Sequence, residues 1–445
     1  MRETPLFAAF YGDDFTGSVE NLAQYQRHGL RGRLYFSAEH AERVFKEGPG
    51  LEVVGLAGVA RSLATEAIGA EVLPALEILD RLNPMIRQFK ICSTLDSSPA
   101  IGSIGHVMEL ACQRTPGLAV LLHAATPGFG RYTVFGHHFT QHQGAVLRLD
   151  ENPAMAHHPS TPMDEANIAK HLSRQTSLRF SHLSLLDLNA SNAEIMLENA
   201  LDHEQPVVID SLTEQDVEQV AGLVMKMAAH RPVLAVAAQG LACGLGAVWA
   251  AQRRGKARVS VSADVSSFGS VERMLILSGS CSPQSQIQLE VLRAAGGTIV
   301  PVDPSGLIDD PKNTIRRLLN ETRVAFGAGA LVALATTRNP SDRRNDIDGA
   351  LLALRLGDAF AAIARAAIIN SGVNRLVFAG GDSSSLSMRA LGAYAIDIIA
   401  FDAQQSGHLC ALRADDAVID GVEIILKGGQ IGKPDFFLHA ASGIR

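Results

Sequence analysis

Arg375-Leu-Val-Phe-Ala379 runs into Gly380-Gly381-Asp382-Ser383-Ser384-Ser385 and then into an amphipathic segment over 386–391. The order predicts a short apolar strand, a turn that glycine enters without steric cost, and a helix whose first turn is dense in hydroxyls. Amide groups at such a helix start have no partner within the helix and lie at the positive end of its dipole, so the turn suits an anion such as a phosphate. The plainer reading, in which the glycines only make a tight turn and Ser383 only caps the helix, accounts for the same residues equally well.

Outward from this unit, strand-length apolar runs recur at 274–277, 298–302, 331–335, 396–401 and 422–426, with helical periodicity near 284–295, 314–324, 346–370 and 385–391. The first half repeats the alternation, with strands at 6–11, 51–58, 118–124, 207–210 and 233–238 and helices at 17–28, 63–82, 104–114 and 213–229. Strands apolar on both faces that alternate with helices imply mainly parallel sheets covered on both sides. A polar, β-branched passage at 255–269 interrupts the pattern, and 445 residues exceed what one core usually supports. The expected organisation is two α/β domains with mainly parallel sheets flanked by helices, spanning 1–254 and 271–445 and joined by a linker at 255–270.

Hydrophobic residues at 47% and charged residues at 19% suit a folded enzyme and leave little room for a disordered tail. The net charge of −7 argues against nucleic acid as a partner, and the basic cluster Arg253-Arg254-Gly-Lys256-Ala-Arg258 reads as a solvated linker. The five cysteines are scattered and never in Cys-x-x-Cys spacing, as in a reduced, cytoplasmic protein. The opening Met1-Arg-Glu-Thr-Pro-Leu-Phe carries no signal-peptide core. The longest uncharged stretch, 234–252, reads as a strand and a helix rather than a membrane span.

Ligands of open α/β sheets gather beyond the carboxyl ends of strands. The first strand leads into Tyr11-Gly12-Asp13-Asp14-Phe15-Thr16-Gly17-Ser18. Two carboxylates at a helix mouth can bind hydroxyls, act as a general base or hold Mg²⁺, and one of them can simply cap the helix. Lys90-Ile-Cys92-Ser93-Thr94-Leu95-Asp96-Ser97-Ser98 offers short donors and acceptors suited to a small polyhydroxy acid, and also reads as an ordinary loop. Arg131, in a glycine-lined loop over 126–136, can fork onto a carboxylate or phosphate or stand as a surface arginine. Arg61, just beyond the run 51–58, is a further substrate candidate. His137, His138, His142, His157 and His158 form no His-x-x-x-His on a helix, which argues against zinc and for structural histidines. Pro159-Ser-Thr161-Pro162-Met163 predicts a turn into a helix starting near Met163.

In the second half, Ser278-Gly279-Ser280-Cys281-Ser282-Pro283 and Lys427-Gly428-Gly429-Gln-Ile-Gly432 repeat the small-residue pattern of 380–383. None of them spells a P-loop, and no Gly-x-Gly-x-x-Gly follows a strand, which weakens a dehydrogenase reading. Three such turns ending strands of one sheet suit a nucleoside triphosphate.

In order and spacing these motifs resemble the four-carbon acid sugar kinase family over nearly the whole length. Gly12-Asp13-Asp14-Phe15-Thr16-Gly17 is similar to its Asp-Asp-x-Thr-Gly motif, 126–136 to its Pro-x-x-Gly-Arg-x-x-x-x-Gly segment, and His158-Pro159-Ser-Thr161-Pro162-Met163 to its His-Pro-x-Thr-Pro-Met segment. The resemblance implies an N-terminal domain that binds the sugar acid, a C-terminal domain that binds ATP, and an active site in the interdomain cleft. Asp13 or Asp14 would orient or deprotonate the acceptor hydroxyl, and Arg61, Ser93, Thr94, Asp96, Arg131 and His158 would bind the acid. Ser280, Ser282, Gly380, Gly381, Asp382, Ser383, Gly428 and Gly429 would contact ATP with Mg²⁺. Asp382 would touch either the metal or the ribose, and no metal ligand is assigned.

The resemblance breaks at one place. Where the family reads Lys-x-Asp-Ser-Thr-Leu-Arg-Gly-Asn, an acid is replaced here by Cys92 and an arginine by Asp96. An aspartate there would repel a substrate carboxylate, which adds 3-oxo-isoapionate, the acceptor of a sister subgroup, to tetronates and 3-oxo-tetronates. The expected activity is ATP-dependent phosphorylation of the terminal hydroxyl of such an acid in the cytoplasm, with no nucleic-acid or membrane partner. The oligomeric state stays open, a homo-oligomer included. The alternative is a non-catalytic sensor of sugar acid or nucleotide on the same fold, which binding without phosphoryl transfer would mark.

Overall fold

The computed structural model describes residues 6–46, 50–203, 205–256, 268–337, 348–402, 404–405, 407–429 and 431–443. The chain divides into two units, Met1–Ser262 and Ala263–Arg445. Most of the passage expected as a linker, and the start of the helix expected from 346, lie outside the described residues.

Unit 1 carries β1 (Ala8–Gly12), β2 (Gly32–Tyr35), β3 (Val53–Ala57), β4 (Ile86–Lys90), β5 (Ala119–His123), β6 (Arg131–Val134), β7 (His137–His142), β8 (Ala145–Arg148), β9 (Ser181–Leu183), β10 (Val207–Ile209) and β11 (Val233–Ala237). Its main sheet runs β2-β3-β1-β4-β11-β5-β10-β9, and every pairing in it is parallel. All residues of β1, β3, β5 and β11 are buried, as strands covered by helices on both faces require. The chain leaves β1 for β2 and β3 on one side and returns to β4 on the other, so the carboxyl end of β1 is a topological switch point, where a crevice opens.

The loop expected around Arg131 is instead β6, part of a three-stranded antiparallel sheet ordered β6-β7-β8. Its first turn places Phe135 at φ 50° and Gly136 at φ 71°. A bulky residue rarely adopts that left-handed backbone. The buried Asp210 carboxylate holds it there by accepting from the amides of Phe135 (2.5 Å) and Gly136 (3.0 Å), as well as from Leu185 N and His182 Nε2.

The helix expected from Met163 begins at Ile168. The preceding residues stay extended because they pair with the β7 edge, where His138 N donates to Ala166 O and Ile168 N to Gly136 O. Asn167 caps that helix, its side chain accepting from Lys170 N. The basic cluster is also no free linker through Lys256, since the helix Gln239–Lys256 contains it and Arg253 pairs with Glu52.

Unit 2 carries β12 (Met274–Ser278), β13 (Thr298–Pro301), β14 (Leu331–Ala335), β15 (Arg375–Ala379), β16 (Ala393–Ala400), β17 (Leu409–Ala414) and β18 (Glu423–Lys427). Their order is β13-β14-β12-β15-β18-β17-β16, parallel up to β18 and antiparallel beyond it. Ile276, Val377 and Ile425 from three adjacent strands pack with Leu289, Phe436 and Phe437 of covering helices. Among the described residues no helix is long and apolar enough to cross a membrane.

Candidate active site

At the end of β1, Asp14 caps the helix Phe15–Gln26, its carboxylate accepting from Gly17 N at 3.0 Å and Thr16 Oγ1 at 2.8 Å. Arg61 reaches back from the turn after β3 and forks onto Asp13 through Nε (3.1 Å) and Nη2 (2.7 Å), with Nη2 also 2.6 Å from Asp14 Oδ1. Backbone bonds fix the three residues, Asp13 N donating to Lys90 O and Arg61 N to Asp13 O, each at 3.0 Å. Lys90, the last residue of β4, is buried and completes the group. A Cβ added at Gly17 would lie 2.3 Å from Asp14 Oδ1 and 2.6 Å from Lys90 Nζ, so glycine alone leaves room for both charges.

Two carboxylates and two cations balance, which is how charges survive burial. The acids are nevertheless unlike. Burial raises Asp13's affinity for a proton and outweighs Arg61 and Lys90. Burial pushes Asp14 up as well, but there Arg61, Lys90 and the bonds from Gly17 and Thr16 prevail and hold it at about 2. The side chain of Asp14 is 21% exposed against 4% for Asp13, so Asp14 faces the crevice and Asp13 anchors Arg61 from behind.

Beyond β4 the loop at 93–98 presents a second set of groups. Burial pushes the Cys92 thiol up to about 11, so it stays protonated. It lies 2.9 Å from Thr94 Oγ1, which itself donates to Asp96 Oδ1 at 2.7 Å. Arg131 donates from Nη1 to Phe129 O at 2.7 Å, while among the described residues its buried Nε has no hydrogen-bond partner. Burial lowers its proton affinity, and nearby Cys92 and Asp96 pull the other way. Arg61, Ser93, Thr94, Asp96 and Arg131 thus all surround the carboxyl ends of β1, β4 and β5. His158 does not join them: its Nδ1 accepts from Thr161 N and lies 2.9 Å from Thr161 Oγ1, and among the described residues no hydrogen bond ties it to the others.

In unit 2, the turns after β12, β15 and β18 converge. Ser280 and Ser282 hydroxyls lie 3.2 Å apart, Ser285 Oγ is 3.0 Å from Ser280 Oγ, and Ser282 and Ser285 both donate to Gly429 O. Gly380, at φ +135°, opens the helix Gly381–Ala390, whose first turn holds Asp382 and the buried Ser383. A Cβ at Gly279 would sit 2.5 Å from Ser383 Oγ, and one at Gly429 would sit 2.8 Å from Ser280 Oγ. Beneath the turns lies Lys427, fully buried, its Nζ donating to Ser285 Oγ (3.1 Å), Gly428 O (3.1 Å) and Gly429 O (3.2 Å). All three acceptors are neutral, and burial lowers its proton affinity to about 8.

Lys90 and Lys427, absent from the residues expected at the sites, are thus central to both. Each is the buried last residue of a strand, behind buried Gln88 and Phe89 in β4 and behind Ile424, Ile425 and Leu426 in β18, and that placement is the signal they offered.

Residues 8–245 match a family model described as a sugar-binding N-terminal domain, and 275–437 match one described as a nucleotide-binding C-terminal domain. The pair defines a protein in which a sugar-binding unit precedes a nucleotide-binding one. The chain belongs to the four-carbon acid sugar kinase family. It is 30% identical to a 3-oxo-isoapionate kinase of Paraburkholderia graminis, over 97% of this chain and 93% of that one. It is 27% identical to a 3-oxo-tetronate kinase of Pectobacterium atrosepticum, over 96% and 97% respectively. Its fold is like that of a Salmonella typhimurium protein (TM-score 0.78, 21% identity, covering 98% and 99%) and of a Haemophilus influenzae protein (0.73, 20%, covering 97% and 98%).

Proposed function

We propose that the chain transfers the γ-phosphoryl group of ATP to a terminal hydroxyl of a small sugar acid. The observation that carries this reading is the charge-balanced group at the end of β1, where one carboxylate, Asp14, is ionised, fixed and open to the crevice. A carboxylate offers about four acceptor positions. Asp14 uses three of them on Arg61, Thr16 and Gly17. The remaining position on Oδ1 would accept the substrate hydroxyl and aim its oxygen. Phosphoryl transfer demands little covalent chemistry from the protein, so orientation and fixed charge supply most of the rate. Lys90, beside the same oxygen, offers positive charge where the phosphoryl group arrives.

Arg131 has donors left for the substrate carboxylate, and Thr94 with Asp96 would receive the acid's other hydroxyls. Among the candidate acids the reading places 3-oxo-isoapionate first, ahead of 3-oxo-tetronates and tetronates. Cys92 and Asp96 stand where the family has an acid and an arginine, and the relative with the 30% match carries that acid in its name. Backbone amides of the turns at 279–282, 380–383 and 428–429, backed by Lys427, would hold the triphosphate. Mg²⁺ bound with nucleotide takes most of its ligands from phosphate and water. The ion would come with ATP, and among the described residues no group of three or more His, Cys, Asp or Glu is disposed to hold a metal. Cysteines that form no disulfide among the described residues agree with a cytosolic setting.

A coupled assay of ADP release over a panel of tetronates, 3-oxo-tetronates and branched five-carbon oxo acids tests the proposal. Turnover is expected with at least one acid, fastest with the branched one. A panel with no turnover at all would sink the kinase reading.

A further inference from the structure

The mechanism above leaves the buried histidines His123, His138 and His171 of unit 1 unused; His171 lies 3.1 Å from Ser97 Oγ at the far end of the acid-binding loop, and His138 touches the residue that opens it. His138, on β7, is fully buried. Its Nε2 lies 2.8 Å from Ser93 O and its Nδ1 3.0 Å from Thr133 Oγ1. A carbonyl oxygen can only accept, so Nε2 carries the proton and Nδ1 accepts from the threonine. The ring has one tautomer and one orientation. Burial holds its affinity for a second proton at about 3, so it stays neutral across the working pH range.

This bond joins two parts of the proposed acid site. Thr133 and His138 face each other in the β6–β7 register, and Arg131 lies two residues before Thr133 on the same strand. Ser93 opens the loop that carries Thr94 and Asp96. The loop is itself unusual, since the buried Leu95 sits at φ 55°, held by its amide donating to Cys92 O at 3.0 Å and by Ser97 Oγ donating to its carbonyl at 2.9 Å. A left-handed leucine is strained and persists only where its surroundings over-determine it.

We propose that His138 is a positioning residue: by bridging Thr133 on β6 to the carbonyl of Ser93, it fixes the spacing between Arg131 and the Thr94–Asp96 pair and so sets which acids the site accepts. The proposal rests on the kinase reading for its substrate, but the clamp itself is a statement about the loop and can be measured without turnover. His138 touches no reacting atom. It acts through Ser93.

The test compares His138→Leu, which removes both bonds, with His138→Gln, whose side-chain amide can still donate to Ser93 O. In the full-length protein without substrate, hydrogen exchange at the Leu95 amide should quicken about tenfold in the leucine variant, the loss expected for one hydrogen bond, and return towards wild type in the glutamine variant. In the coupled assay the leucine variant should raise KM for the acid about tenfold, leave KM for ATP unchanged, and narrow the difference in kcat/KM between a four-carbon and a branched five-carbon acid. The glutamine variant should recover that discrimination. Should the leucine variant fold poorly, Thr133→Val removes only the group that fixes the tautomer and should shift the same quantities the same way, by less. Unchanged exchange at Leu95 overturns the clamp. So does a loss that falls equally on acid and ATP and is not recovered by glutamine. If the wild-type protein turns over no acid, the kinase reading fails while the exchange result still decides the clamp.

Discussion

In unit 1, β1 lies between β3 and β4; in unit 2, β12 lies between β14 and β15 with the same connections. Both sheets therefore open a crevice at the carboxyl end of their first strand. The first crevice is walled by Asp13, Asp14, Arg61 and Lys90, whose charges cancel. The second is walled by glycine and serine, with one buried lysine that donates to neutral oxygens and lies over the Phe436 ring. Topology decides where a ligand sits, and the residues at strand ends decide its chemistry. A self-neutralised wall can orient a hydroxyl without attracting a polyanion. A wall of amide groups over an uncompensated cation is completed by one.

If this contrast is right, damage on one side should leave binding on the other intact. The largest effect is expected for Asp14→Asn, which removes the acceptor charge with little change in shape. Its kcat should fall about 10³-fold, within the range seen when a positioned acid or base is lost, while calorimetry shows unchanged ATP affinity. A parallel loss of ATP binding would break the division of labour. Next comes Gly381→Val. A Cβ at that position meets nothing within 4 Å in the protein, so the added bulk should weaken ATP binding about a hundredfold with little change in melting temperature. An unaltered ATP affinity would remove the turn at 380–383 from the nucleotide site.

The smallest effect sharpens the comparison. Lys427→Met should weaken MgATP binding about tenfold and leave adenosine binding alone, as expected for one charge that acts through a turn. Because burial lowers Lys427 to about 8, its ammonium form is present below that pH and lost above it. Wild-type affinity for ATP should therefore decline as pH rises through about 8, and the methionine variant should show no such decline. Equal losses for ATP and adenosine would mean that Lys427 only supports the fold.

Much of this was legible in the sequence. The helix Ile104–Arg114 and the strand Leu331–Ala335 fall where periodicity puts them, and the mainly parallel α/β architecture follows from runs apolar on both faces. The three small-residue turns were visible as motifs because glycine and serine between a strand and a helix mark a tight turn and a helix start. The β6–β8 sheet was hidden. Its middle strand, His137–His142, alternates half-buried and buried positions through Thr140, but the buried ones are the polar His138 and Thr140, and its turn is Phe-Gly where a hairpin usually shows Asn-Gly. That turn is set by Asp210, a partner about as far away in sequence as a whole subdomain, and no local pattern can report it. Arg61 was hidden in part for the same reason: its fork onto Asp13 and Asp14 joins separate strand ends.

The capture of Phe135, Gly136, Leu185 and His182 by one Asp210 carboxylate has a practical side. It pins the tip of the hairpin to the far edge of the sheet, so the strand bearing Arg131 behaves as a pre-set module and not as a mobile flap. Anyone seeking to redirect this scaffold towards other acceptors can exchange the residues along that ribbon as a cassette, provided the aspartate that staples it down is kept.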